Sequence, residues 1–421
     1  MNNTQKYTIA IFRFLLLVLI LGLTTDSLMS HQTGYRDPNG STSGLLATPT
    51  PASLLLNPPT QHPAPGSVSP LIFGTNLAMY DTNDQFVNNY AAQQALKDLH
   101  VRFIRMPFRT NSPGKNIAES YNIKAMQAIK SIGAVPEIII HTVINSPLAD
   151  PTALSDDIIV LNDMANVFNT GPIYVDYGNE DDNGSTLGLN QYEYTDNWNN
   201  AINRIESKLQ HPSFFKFGGP VNEDSKPAYL AYFAAHAHPT PDFVVWHEYT
   251  CLENNTADEC LANIQKWNTD IAKTRQDLNS VGKQHIPFII DEWNYDPLAQ
   301  PHDGRYDNPN FIELWTIEAF NVLTDKKNNI LASAHYVATD NEKYRLIDGN
   351  NNPTYQGCAF KAAYESIFGG SSSGTPPCSS AHYDSALTLY HASSFSASPR
   401  CSFSAFCVEK STLRRRRCTT I

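Results

Sequence analysis

Two glutamates close strand-like apolar runs in the middle of this chain. Glu180 follows the run from Ile173, and Glu292 lies in the run from Ile286. Other runs end in Asn76, Arg105 and Arg109, His141, Asn179, His247 and Tyr249, Asn294, and His335 and Tyr336. Each residue alone says little, because a carboxylate closing a strand often caps the next helix. A pair of carboxylates facing one cavity can divide the work. One held protonated serves as a general acid, and one kept charged by Arg and hydroxyl donors serves as a nucleophile. Glycoside cleavage uses such a pair, and retention of configuration requires carboxyls about 5–5.5 Å apart.

The elements that must position these groups alternate regularly. Strand-like runs begin near Leu71, Val101, Val135, Ile173, Phe214, Phe243, Ile286 and Ser333. Helical patterns lie between them. Ile123, Met126, Ile129 and Ile132 share a face, and Gly133 follows as a stop. Trp198, Ile202, Ile205 and Leu209 repeat likewise, as do Leu261, Ile264, Trp267, Ile271 and Leu278, and Phe360, Ala363, Tyr364 and Ile367. Strands alternating with helices imply parallel pairing by right-handed crossovers. Eight such units over residues 71–370 predict an α/β fold, a (β/α)8 TIM barrel. An open doubly wound sheet is the alternative, but no glycine-rich nucleotide motif follows any strand. Barrel active sites sit at the C-terminal ends of the strands, where the fourth and seventh bring Glu180 and Glu292 over one mouth.

Four motifs in order carry a resemblance. They are Gly178-Asn179-Glu180 at strand 4, Phe217-Gly218-Gly219-Pro220 at strand 5, Trp246-His247-Glu248-Tyr249 at strand 6 and Asp291-Glu292-Trp293-Asn294 at strand 7. The set resembles clan A retaining glycoside hydrolases, most closely glycoside hydrolase family 39, the β-xylosidase and α-L-iduronidase family, over about residues 71–370. The resemblance implies Glu180 as acid/base and Glu292 as nucleophile. It implies that Asn179 holds the sugar 2-hydroxyl and that Tyr249 and Arg105 orient and ionise Glu292. His247 would contact sugar hydroxyls or the surroundings of the nucleophile. Tyr336 stands where the clan often carries a Trp as a sugar platform. With His141 and Trp293, these residues complete the expected substrate-facing set.

Neighbouring acids read differently. Asn222-Glu223 precedes Pro227 and an apolar helix pattern, which reads as capping. Asn341-Glu342 falls in a polar loop. Strand alternation points Asp291 away from Glu292, and Glu248 away from His247 and Tyr249. His141, His247 and His335 could ligate a metal, but neither H-x-H on strand 1 nor H-E-x-x-H occurs, so no metal and no cofactor is expected.

The ends differ from the middle. Residues 1–30 read as an export signal: Lys6 and Arg13 precede an apolar run from Phe14 to Leu23. That run is too short to span about 30 Å of hydrocarbon. Without a clean cleavage site, a retained membrane anchor is the alternative, and either way the rest faces an extracytoplasmic compartment. Residues 31–70 read as a Pro/Ser/Thr-rich tether. Residues 371–421 read as a linker and a poorly ordered basic tail with Cys378, Cys401, Cys407 and Cys418. In an exported protein Cys251 and Cys260 suit a disulfide, whereas Cys358 reads as a buried thiol. The net charge of −11 argues against a nucleic-acid partner. Carbohydrate is the expected ligand. A barrel that binds sugar without turning it over is the rival reading.

Overall fold

The computed structural model describes residues 67–110, 117–142, 153–296, 301, 303–340, 343–369 and 378. The expected signal, all but the last residues of the tether, the tail apart from Cys378, and Asn341-Glu342 lie outside the described residues.

Eight parallel strands close into a barrel in sequential order. They are β1 (Gly74–Asn76), β2 (Phe103–Pro107), β3 (Val135–Ile140), β4 (Ile173–Tyr177), β5 (Phe215–Asn222), β6 (Phe243–Tyr249), β7 (Phe288–Asn294) and β8 (Ile330–His335). The outer ring is α1 (Tyr90–Asp98), α2 (Glu119–Ile132), α3 (Ala153–Phe168), α4 (Gln191–Glu206), α5 (Pro227–His236), α6 (Ala257–Ser280), α7 (Pro309–Leu323) and α8 (Tyr355–Phe368). This is the (β/α)8 barrel that the alternation predicts.

Local chemistry sets the ends. Gly133 terminates α2 in the left-handed conformation, φ 76°. β1 is shorter than its apolar run because Ser69 and Pro70 start a 3-10 turn over Pro70–Ile72. At Gly74 a Cβ would lie 2.3 Å from the Ser333 carbonyl, so the seam between β1 and β8 needs glycine there. α5 begins behind Lys226 without a side-chain cap. The capping reading of Asn222-Glu223 is therefore corrected: Asn222 is the buried last residue of β5, and Glu223 belongs to the turn after it.

Two apolar layers hold the fold. Phe103, Val135, Tyr174, Phe243, Val245 and Ile289 fill the barrel interior at its N-terminal end. A larger layer lies between strands and helices, where Trp293 packs against Trp267, Trp315 and Phe320. With a period of two, the inward register that starts at Phe103, Val135 and Tyr174 continues to Arg105, Glu137 and Asp176. The upper half of the barrel is thus charged.

Two disulfides are present among the described residues, Cys251–Cys260 and Cys358–Cys378. The second corrects the reading of Cys358 as a free thiol. Its partner lies beyond the end of α8, in the segment read as tail. No helix among the described residues is long and apolar enough to cross a membrane.

Candidate active site

The site is built on the C-terminal ends of β2, β4, β6 and β7. Arg105 on β2 is its centre, with a side chain only 1% exposed. Its Nη1 donates to Glu292 Oε1 at 2.6 Å, and its Nη2 donates to Asn179 Oδ1 at 2.7 Å. Its Nε donates to Asp176 Oδ2 at 2.8 Å, and Nη2 also lies 2.9 Å from Asp291 Oδ2. Asn76, at the end of β1, accepts from Nη1 at 3.2 Å. Burial works against the guanidinium charge, but Asp291, Asp176, Glu292 and Glu137 together outweigh it and hold the pKa well above the ordinary value.

Glu292 receives a second donor, Tyr249 Oη, at 2.7 Å from Oε2. Burial and then the adjacent Glu292 raise the Tyr249 phenol, so it remains a proton donor. Glu180 follows β4 with φ 52°, and its N–H donates to the Val221 carbonyl at 2.8 Å. The turn that presents it needs Gly178, φ 86°, because a Cβ there would meet Asp181 Oδ2 at 2.1 Å and Thr142 Oγ1 at 2.5 Å. Glu180 Oε1 lies 2.9 Å from His247 Nδ1. Oxygens of Glu180 and Glu292 and a ring nitrogen of His247 all fall within 4.8 Å of one another.

The electrostatics depart from the sequence expectation in one respect. As the acid of the pair, Glu180 was expected to hold a proton. Burial does raise the Glu180 carboxyl, but the hydrogen bond and charge of His247 outweigh it, and the net direction is down. Burial likewise lowers His247, and Glu292 and Asp291 outweigh it, so the imidazole is pushed well above its ordinary range.

Asp291 requires a correction. It was expected to face away from Glu292, yet both carboxylates form ion pairs with Arg105. The cause is an additional residue in β7. Trp246 pairs with Ile290 and His247 with Glu292, while on the other side Ile290 pairs with Ser333 and Trp293 with His335. This bulge turns two consecutive side chains to one side. Trp293 also requires correction. It is fully buried in the outer layer, edge-on to Phe320, and cannot form a sugar contact. Glu248 does face outward, accepting from Trp246 Nε1 at 2.8 Å.

Two acids were missed. Glu137 and Asp176 lie fully buried beneath Arg105, and their oxygens and one of Asp291 fall within 4.8 Å of one another. Burial, then Asp176 and Asp291, push Glu137 far up, and burial with Asp291 pushes Asp176 up. The visible signal was one acid at an inward position in each of two neighbouring apolar strands, β3 and β4, beside Arg105 on β2. By distance, this group or Glu180, His247 and Glu292 could hold a cation. In both, the guanidinium or the imidazole already supplies positive charge.

The remaining candidates line the rim. Tyr336 Oη lies 2.5 Å from Tyr80 Oη, and its ring is 6.4 Å from that of Tyr249. Arg109 lies with its guanidinium 5.7 Å from the Tyr80 ring and donates to the Ala78 carbonyl at 3.1 Å. His141 follows β3, its Nδ1 2.8 Å from Asp157 Oδ1 and its ring beside Phe108. His335 is buried behind the rim against Trp293 and Asn294. Behind the loop after β6, Arg305 donates to the carbonyls of Glu253 and Asn255 and so braces the Cys251–Cys260 turn. A separate cavity of about 510 Å³ opens at the N-terminal ends of β5–β8, beside Lys216, Asp242 and His285, away from the carboxylates.

Neither a family model nor a curated protein matches the sequence. Solved structures of similar fold do exist. The arabinose complex of the alpha-L-arabinofuranosidase from Thermotoga maritima has a TM-score of 0.53 at 14% identity over 70% of each chain. The GH51 alpha-L-arabinofuranosidase from Thermotoga petrophila RKU-1 gives 0.54 at 14%, again over 70% of each chain. The GH51 arabinofuranosidase from Xanthomonas axonopodis pv. citri gives 0.53 at 14%, over 70% of this chain and 73% of that one. At such identity the likeness is one of fold: this chain is a (β/α)8 barrel of the architecture seen in those glycosidases.

Proposed function

We propose that this chain is an exported retaining glycoside hydrolase that cleaves O-glycosidic bonds of oligo- or polysaccharides by double displacement. The observation that carries the reading is the pair Glu180 and Glu292, with oxygens within 4.8 Å, one bonded to Arg105 and Tyr249 and the other to His247. That spacing suits the separation of about 5–5.5 Å at which a second carboxylate attacks directly rather than through water.

Glu292 has both oxygens engaged by donors, which aim it. It attacks the anomeric carbon while Glu180 protonates the leaving oxygen. Glu180 then removes a proton from water, and the water oxygen displaces Glu292. Asn179 is oriented by Arg105 through Oδ1, so its Nδ2 is available to a sugar hydroxyl. Tyr336 and Tyr80 offer an aromatic rim. Pentosides lead the substrate panel, because the motif order resembles the β-xylosidase family and the similar folds include arabinofuranosidases.

A panel of aryl xylosides, arabinofuranosides, glucosides, mannosides and glucuronides tests the reading. Cleavage of one, with the first-formed sugar retaining its anomeric configuration by proton NMR, is the expected result. Glu292→Ala should abolish that cleavage while leaving the fold intact. Sugar binding without cleavage of any glycoside would move the chain to the binding-protein reading. Inversion would overturn the assignment of Glu292.

A further inference from the structure

We propose that His247 stores, on Nδ1, the proton that Glu180 delivers, and that Asp291 is the positioning residue that keeps His247 cationic. The proposal rests on the glycosidase reading of Glu180 and Glu292.

The geometry around one ring carries it. His247 is fully buried, with Nδ1 2.9 Å from Glu180 Oε1 and 3.7 Å from Glu292 Oε2. Its Nε2 faces Asp291 Oδ1 at 3.5 Å. Carboxylates thus stand at both ring nitrogens. A neutral imidazole has one N–H and one lone pair, so either tautomer would aim a lone pair at a carboxylate. The imidazolium puts a proton on each nitrogen, hydrogen-bonded to Glu180 at Nδ1 and ion-paired with Asp291 at Nε2. The one neutral form that fits keeps its proton on Nε2, toward Asp291, and accepts at Nδ1 from a protonated Glu180. The two fitting states differ by the movement of one proton between Nδ1 and Oε1.

The other groups around the ring agree with this account. Arg105 from β2 forms ion pairs with Asp291 and Glu292 beside the ring. Tyr249, on the same strand, stands edge-on at 6.3 Å. Beneath lie Asp176 from β4 and Glu137 from β3, both pushed toward their neutral forms by burial and by neighbouring acids. Asp291 is the acid of this group that stays charged: burial opposes the charge, but Arg105 and His247 outweigh it. The bulge in β7 brings this charge to the ring together with Glu292.

The steps balance. The Nδ1 proton moves to Glu180, leaving a neutral imidazole and a neutral carboxylic acid. The carboxylic proton passes to the glycosidic oxygen as its bond to the anomeric carbon breaks, the electron pair staying with that oxygen. A Glu292 oxygen forms the new bond to that carbon. In the second half, water gives a proton to Glu180 and its oxygen to the carbon. The Glu292 bond breaks, and the proton returns to Nδ1.

The test uses the full chain with 15N-labelled histidine. The free wild-type protein should show both ring nitrogens of His247 protonated at about pH 7, against an ordinary imidazole value near 6.5. In Asp291→Asn the ring should become neutral at least about one pH unit lower. The alkaline limb of kcat/KM should move down with it. The loss of rate with a methyl glycoside should exceed the loss with a dinitrophenyl glycoside, whose leaving group needs no proton, by about tenfold or more. Asp291→Glu should recover part of the loss. A neutral His247 in the wild type at about pH 7 would overturn the proposal, as would an unmoved titration in the variant or equal losses with both glycosides. If Asp291→Asn fails to fold, the wild-type spectrum decides. If no glycoside is cleaved, the glycosidase reading falls, while the spectrum still decides where the proton rests.

Discussion

Tyr249 Oη donates a 2.7 Å hydrogen bond to Glu292 Oε2, the oxygen that Arg105 leaves open. With the phenol on one side and the guanidinium on the other, the carboxylate cannot rotate without losing a charge-assisted bond. Tyr249→Phe removes one donor and almost no volume. We expect kcat/KM to fall by about 10- to 100-fold, with a melting temperature close to wild type. An unchanged rate would remove Tyr249 from the nucleophile's supports.

Arg105→Met should do more. It leaves Asp176, Asp291, Glu292 and Glu137 without their common cation. The expected rate loss is about 100-fold or more. Removing one partner of buried ion pairs also costs about 3–5 kcal/mol. Denaturant unfolding of wild type and variant measures that cost. A variant as stable as the wild type would show that the acids beneath carry no charge to compensate.

Stability should fall as pH rises. Burial pushes Asp181 from 3.8 to about 7 and Glu248 from 4.5 to about 8. The folded chain therefore keeps protons that the unfolded chain releases near pH 4. Their stabilisation is complete below the unfolded values and is lost as pH climbs toward the folded ones. His247, raised well above its ordinary value, acts in the same direction. Glu180 and Asp291, both lowered, act oppositely and only in acid. Melting temperature should peak near about pH 5 and decline toward about pH 8. Glu248→Gln can still accept from Trp246 Nε1 and should flatten that decline. A melting temperature that rises from about pH 5 to about pH 8 would contradict it.

The Cys251–Cys260 bridge closes a short loop behind Tyr249, with a sequence separation of 9. The double variant Cys251→Ser, Cys260→Ser should lose about 2–3 kcal/mol by loop-closure entropy. Because Arg305 braces the same turn from its carbonyls, the rate should change much less than the stability. Urea titration and aryl glycoside kinetics on one preparation separate the two effects.

Trp293→Phe tests the outward placement of that ring. It should cost about 1–3 kcal/mol of stability through lost packing, with KM unchanged. Tyr336→Ala, on the rim, should instead raise KM.

The barrel was legible because its two periods, near 2 and near 3.6, are written in apolar residues. Arg105 was singled out by its place at the end of the second run and by the resemblance, and it shares the inward register of Phe103. Glu137 and Asp176 share that register but were passed over: an acid within a strand reads as a solvent-facing residue unless several strands are superimposed. The pairing of His247 with Glu180 depends on a left-handed residue after β4, which sequence spacing does not encode. The link from Cys358 to Cys378 joins a helix to a segment of low hydrophobicity, where no periodicity guides pairing.

The bulge in β7 has a consequence for anyone recombining such barrels. Ile289 and Asp291 face inward at odd positions, and Ile290 faces outward. Beyond the bulge, Glu292 faces inward and Trp293 outward. The strand changes parity between its two acids. A segment transplanted from a regular strand of equal length would therefore bring the wrong face to the mouth, with a tryptophan inside and a carboxylate in the aromatic layer. Grafts onto this scaffold must match parity as well as length: a regular strand one residue shorter would keep the inner and outer faces beyond the bulge, whereas one of equal length would exchange them.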